Sequence, residues 1–166
     1  MGTTENLQEA FAGESRANRT YLAFAKKAEV DGFPQVARLF RAAAEAETVH
    51  AHAHLRVLGD VKETAENLQA AMDGEGYEFQ KMYPEFLAEA GKEGNRAAEI
   101  TFRNALAVEE VHHGLYGEAL KAINDGKDMA ATSIFVCSVC GNTVLGEPPD
   151  VCPICNARRD KFFEVA

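Results

Sequence analysis

The run FRAAAEAETVH, from Phe40 to His50, returns 62 residues later as FRNALAVEEVH, from Phe102 to His112. Both copies keep Phe, Arg, Glu and His at matching places. Residues three apart on a helix share a face, so Glu47 and His50 point the same way, as do Glu109 and His112. One Glu-x-x-His says little. Two copies inside a repeat say far more, because helical bundles that hold two metal ions carry this motif on two facing helices.

The repeat extends upstream: ENLQEAFAGE at Glu5–Glu14 is echoed by ENLQAAMDGE at Glu66–Glu75, at an offset of 61. One residue inserted in the second inter-helix turn would convert this to 62. Two copies of a helical hairpin predict an all-α four-helix bundle with approximate two-fold symmetry. The first helix is expected over residues 4–30, capped by Thr3 or Thr4, and Asp31-Gly32-Phe33-Pro34 breaks it. The second runs from Pro34 to Leu58 and stops at Gly59. The third starts near Thr64 and reaches about Ala90, with Pro84 kinking or splitting it. Gly94 separates it from a fourth, Arg96 to Ile123. This gives a bundle over residues 1–125, a linker over 126–133 and a small module over 134–166.

The Ala- and Glu-rich composition without Trp suits helices, and 166 residues suit one core-sized domain plus an appendage. A formal charge of -9 argues against nucleic acid and anionic membrane as partners. Neither a membrane-length apolar run nor a signal-like start is present, so a cytoplasmic location is expected.

Symmetry nominates ligands. Glu14 matches Glu75, and Glu47 and His50 match Glu109 and His112. One Glu from each of two helices and a Glu-x-x-His from each of the others is the inventory of a carboxylate-bridged di-iron or di-manganese site. Carboxylates suit such hard ions and can bridge them. Glu78 shares the face of Glu75, whereas its counterpart in the first copy is Ala17, so a seventh ligand would make the two metals inequivalent. Tyr21, two turns beyond Glu14 on the same face, is placed either to hydrogen-bond a ligand or to pack in the core. His52 and His113 fall off the ligand face and are expected at the surface or in packing. His54 could pair with His50 but has no acidic partner in the repeat.

The tail carries separate chemistry. Cys137-Ser-Val-Cys140-Gly and Cys152-Pro-Ile-Cys155-Asn are two thiolate knuckles, whose turns aim backbone N–H groups at the sulfurs. Four thiolates at this spacing imply tetrahedral binding of one metal, and both zinc and iron accept it. So short a module needs the metal to stay folded.

With these residues the whole chain resembles the rubrerythrin family: a ferritin-like di-iron bundle followed by a rubredoxin-like iron-tetrathiolate domain. The resemblance rests on Glu14, Glu47, His50, Glu75, Glu78, Glu109, His112 and the four cysteines. It implies two non-haem irons per bundle site and one iron held by Cys137, Cys140, Cys152 and Cys155. It further implies that the residue in the place of Glu78 binds the oxidised iron. The one in the place of His50 takes over on reduction, and Tyr21 and Tyr83 stand behind the ligands. The implied activity is reduction of hydrogen peroxide to water, with electrons from a nicotinamide-linked reductase or a small carrier such as rubredoxin. The alternative is a ferroxidase or iron-handling ferritin-like protein, which has no need of a thiolate domain.

In a ferritin-like topology the second and third helices run parallel, so their connection must return along the bundle. That return is roughly 33 Å, judged from the helical rise between the ligands and the helix ends. Residues 59–63 reach only about 20 Å when extended. Either the bundle is a simple up-down-up-down one, or helix pairs 1–2 and 3–4 are exchanged between the chains of a homodimer; the resemblance to a ferritin-like arrangement implies the exchange.

Overall fold

The computed structural model describes residues 2–166 and divides into two units, one ending at Lys62 and one running from Glu63 to Ala166. In the first, α1 (Thr3–Val30) packs against α2 (Pro34–Leu58). The buried residues of α2 are Ala37, Ala44 and Ala51, two helical turns apart, and those of α1 are Ala25 and Ala28. A stripe of methyl groups lets two helix backbones come close but buries little apolar area. Several larger side chains stay out: Leu39 is 69 % exposed and Val57 71 % exposed. Asn18 ties the pair together, its Nδ2 donating to the Ala44 carbonyl at 2.7 Å and to Thr48 Oγ1 at 2.9 Å. The expected threonine cap is absent. Gly2 occupies the cap position and Thr3 already lies inside the helix, so the first-turn N–H groups get no side-chain acceptor.

The second unit begins with α3 (Thr64–Tyr77), passes through a π-helical turn at Glu78–Met82, and continues as α4 (Tyr83–Glu93) and α5 (Arg96–Asn124). Pro84 has no N–H to give the carbonyl four residues back, and its ring would collide with that carbonyl. The wide turn just before it removes the conflict. It also relocates the inserted residue of the repeat. Glu14 and Glu75 are offset by 61, but Tyr21 and Tyr83 are offset by 62, as are the left-handed glycines Gly32 (φ 81) and Gly94 (φ 69). The insertion therefore lies inside the helix, in the π-helical turn, and not in the inter-helix turn where it was expected. A single added residue in a continuous helix is accommodated by one turn of i→i−5 bonding.

Past that turn the copies agree in detail. Tyr21, Phe24 and Phe40 form an aromatic triangle with Phe24 and Phe40 centroids 5.5 Å apart. Tyr83, Phe86 and Phe102 repeat it, again with 5.5 Å between the two phenylalanines. Asn95 caps α5 by accepting the Ala98 N–H at 3.1 Å.

Residues 127–133 have no regular structure and lead into a three-stranded antiparallel sheet, order β2-β1-β3, made of β1 (Ile134–Cys137), β2 (Thr143–Leu145) and β3 (Phe162–Val165). Its two cysteine turns are alike: Gly141 N–H donates to the Cys137 carbonyl at 2.8 Å, and Asn156 N–H to that of Cys152 at 2.9 Å. Both Gly141 (φ 88) and Asn156 (φ 61) are left-handed, which is why Gly and Asn follow the second cysteine of each pair. Among the described residues, no helix is long and apolar enough to cross a membrane.

Candidate metal centre

Among the described residues, three groups of side chains able to ligate a metal have donor atoms within 4.8 Å of one another: Glu14–Glu47–His50, Glu75–Glu109–His112, and the four cysteines. The first belongs to the α1–α2 unit. Glu47 and His50 stand one turn apart on α2, and α1 supplies Glu14. His50 Nδ1 lies 2.9 Å from Glu47 Oε2 and 3.9 Å from Glu14 Oε1. The second group repeats this in the other unit, with His112 Nδ1 2.9 Å from Glu109 Oε2 and 3.6 Å from Glu75 Oε1.

Each group offers two carboxylates and one imidazole, all turned toward one point. The donor set fits a hard divalent ion. The donor types are those that carboxylate-rich metal sites in helical bundles use. The electrostatics agree. Burial, then repulsion from Glu109, raises the Glu75 carboxyl above its ordinary value, although His112 opposes this. Burial, then repulsion from Glu75, raises Glu78. Tyr83 is raised by burial and by Glu78, Glu109 and Glu75 in turn. A cation would relieve this crowding of negative charge.

Glu78 lies outside the tight cluster, at the first residue of the π-helical turn, yet close enough to Glu75 to feel its charge. Tyr21 packs in its aromatic triangle, while Tyr83, in the matching triangle, faces the Glu75–Glu78–Glu109 carboxylates. His113 packs edge-on against Phe79 with centroids 5.4 Å apart, and His52 is exposed. His54 enters none of the three groups.

The two imidazoles differ in one respect. The His50 side chain is 56 % exposed, whereas that of His112 is 25 % exposed and its Nε2 lies 2.9 Å from Thr143 Oγ1. Thr143 belongs to the cysteine module, and nothing in its sequence context marks it. Neither it nor Asn18 was visible as a site neighbour, because both act through contacts distant in the chain.

In the cysteine module Cys137 and Cys155 sulfurs are 3.7 Å apart and Cys140 and Cys152 sulfurs 3.6 Å. A tetrahedron with metal–sulfur bonds of about 2.3 Å has edges of about 3.8 Å, so the sulfurs already stand at ligand spacing. Burial pushes the Cys152 thiol up, but N–H groups of Cys155 and Ile154 and the thiols of Cys155 and Cys140 outweigh it, bringing it to about 7. Burial holds Cys140 and Cys155 above their ordinary value. Cys137 and Cys152 are almost fully enclosed, at 1 % and 0 % exposure.

Comparison with known proteins agrees with this chemistry. The Rubrerythrin family profile matches residues 5–120, and that of the rubrerythrin rubredoxin-like domain matches residues 135–163. Rubrerythrin-2 of Clostridium acetobutylicum is 36 % identical over 174 residues, covering 96 % of this chain and 95 % of its own. Nigerythrin of Nitratidesulfovibrio vulgaris is 36 % identical, over 96 % of this chain and 85 % of its own. A structure of nigerythrin in a partially reduced state matches with a TM-score of 0.58 at 35 % identity, covering 99 % of this chain and 88 % of that one. A structure described as fully reduced, all-ferrous nigerythrin matches equally. The chain therefore belongs to the rubrerythrin family, with a ferritin-like helical part and a rubredoxin-like tail, and its Glu-Glu-His groups and four-cysteine module fit that family's iron cofactors.

Proposed function

We propose that this protein reduces hydrogen peroxide to water, two electrons and two protons converting one peroxide into two water molecules. The observation that carries the reading is the pairing, in one chain, of two matched Glu-Glu-His groups with a tetrathiolate module. Bound iron would supply the electrons, two at once from the bundle pair and singly from the tail. The chain's own residues do the rest. Glu14, Glu47, Glu75, Glu109 and the two imidazoles would hold the pair, and so few side-chain donors would leave room for a small oxygen substrate. Glu78 and Tyr83, both made weaker acids by burial, stand beside the site as the groups that would deliver protons to the reduced oxygens. The cysteine module draws electrons from an outside reductase or small carrier and passes them to the bundle.

The bundle site is completed by a second copy of the chain. Each unit holds half the ligands, the short link at residues 59–63 cannot return along a ferritin-like bundle, and each helix pair buries mainly alanine. Glu14, Glu47 and His50 of one chain then face Glu75, Glu78, Glu109 and His112 of another.

Metal analysis with a visible spectrum is the first test, and about three irons per chain with a red thiolate-to-iron band is the expected result. Stopped-flow mixing of the reduced protein with peroxide is the second. Cys152→Ser should spare one oxidation by peroxide and block re-reduction, and normal turnover of this variant with a reductase would refute the electron route. Glu78→Ala should slow the oxidation itself.

A further inference from the structure

We propose that Thr143 is a positioning residue for His112, so that the cysteine module sets the geometry of one bundle ligand. This rests on the bundle being a metal site and goes beyond it. Nδ1 of His112 faces Glu109 and Glu75, at 2.9 and 3.6 Å. Nε2, on the far edge of the ring, lies 2.9 Å from Thr143 Oγ1. The Thr143 hydroxyl has one proton, and its geometry directs that proton to the Gly141 carbonyl at 3.3 Å. A cation held by Nδ1 and the carboxylates would take the Nδ1 lone pair, leaving the ring proton on Nε2, where Thr143 accepts it. A ligating histidine commonly needs such an acceptor behind it, and here the acceptor is a hydroxyl from another module.

The surroundings make the contact selective. Around it lies an apolar recess lined by Leu68, Leu115, Ile134 and Leu145, in which Tyr116 is the other polar side chain besides His112 and Thr143. Thr143 is itself held firmly. Asn142, the residue before it, is 3 % exposed, accepts the Cys137 N–H on its carbonyl at 2.9 Å and directs Nδ2 to Cys152 Sγ at 3.8 Å. Two adjacent residues thus bond the cysteine cluster on one side and a bundle imidazole on the other. In its own unit His50 has its Nδ1 2.9 Å from Glu47 Oε2 in the same way, but its side chain is more than half exposed.

The test is cobalt(II) titration of the full chain with zinc already in the cysteine module, following the ligand-field bands of the bundle. Thr143→Val should weaken cobalt binding about 10–100-fold, the usual effect of removing the partner of a ligating histidine. Thr143→Ser, which keeps the acceptor, should bind like the parent. In the zinc-loaded parent, a slowly exchanging imidazole N–H proton should be visible by NMR and should vanish in Thr143→Val. The tail's cobalt–thiolate spectrum, recorded separately, should be the same in all three. Should Val disturb that spectrum, Thr143→Ala repeats the comparison with a smaller side chain. A parent that takes up no cobalt outside the cysteines overturns the bundle reading and this role with it. A parent that loads while Thr143→Val titrates identically overturns the Thr143 role alone.

Discussion

The Tyr83 N–H donates to the carbonyl of Glu78, five residues back, and this one wide turn separates the ligand-bearing α3 from the aromatic triangle of α4. The inserted residue and Pro84 are partners in it. Deleting Gln80 should return the segment to ordinary α-helical spacing and drive the Pro84 ring into the preceding turn, at a cost of about 3 kcal/mol. Adding Pro84→Leu to the deletion should recover most of that stability, because the first copy has Leu22 at the matching place. Thermal unfolding by circular dichroism measures both. A deletion variant as stable as its parent would show that the turn is not a response to proline.

Glu75 and Glu78 give the metal-free protein a defined pH dependence. Both carboxyls sit above their ordinary value of 4.5 when folded. The folded chain therefore binds these protons more tightly than the unfolded one. That contribution is present in full below the unfolded value and is lost as pH rises from about 4.5 through the raised folded values. Metal-free Glu75→Gln and Glu78→Gln should be more stable than the parent at pH 7 and converge with it near pH 4. Loading with ferrous or cobalt ions should reverse the order at pH 7, since the parent alone keeps every carboxylate. Unfolding midpoints at both pH values, with and without metal, decide the matter.

Exchange of helix pairs predicts complementation. Glu47→Ala and Glu109→Ala chains should each be inactive alone. Mixed under conditions that permit subunit exchange, they should form heterodimers with one doubly damaged and one complete site, and peroxide turnover should return. A monomer with two bundle irons and full activity would rule the arrangement out.

Asn95 makes a local contribution at the start of the helix that carries Glu109 and His112. Its side chain accepts the Ala98 N–H, so Asn95→Ala should destabilise the protein by about 1 kcal/mol. Urea denaturation should show a lower midpoint with an unchanged slope.

The helices and the clustering of the six repeated side chains were legible because each depends on short-range chemistry: Gly32, Gly59 and Gly94 stop helices, and Glu-x-x-His fixes two donors on one face. The four cysteines were legible for the same reason. The place of the insertion was not, although the pair Tyr21 and Tyr83 already bracketed it. A π-helical turn has no residue signature of its own, and its cause here is the conflict between Pro84 and a carbonyl four residues upstream. Thr143 and Asn18 were invisible on similar grounds. Each is an ordinary polar residue whose partner lies 31 or 26 residues away, and only the folded chain brings them together.

The contact of Thr143 with His112 joins the tail to α5 of its own chain, and in an exchanged dimer this makes electron supply a matter of cis and trans. The complete site of the Glu47→Ala/Glu109→Ala heterodimer takes Glu75, Glu109 and His112 from the chain with the Glu47 lesion, and so takes that chain's tail as well. Cys152→Ser placed on the Glu109→Ala chain should therefore be silent, while the same change on the Glu47→Ala chain should abolish the restored turnover. One substitution would thus be harmless or fatal according to the chain that carries it. Each tail would be inherited with the half-site it serves.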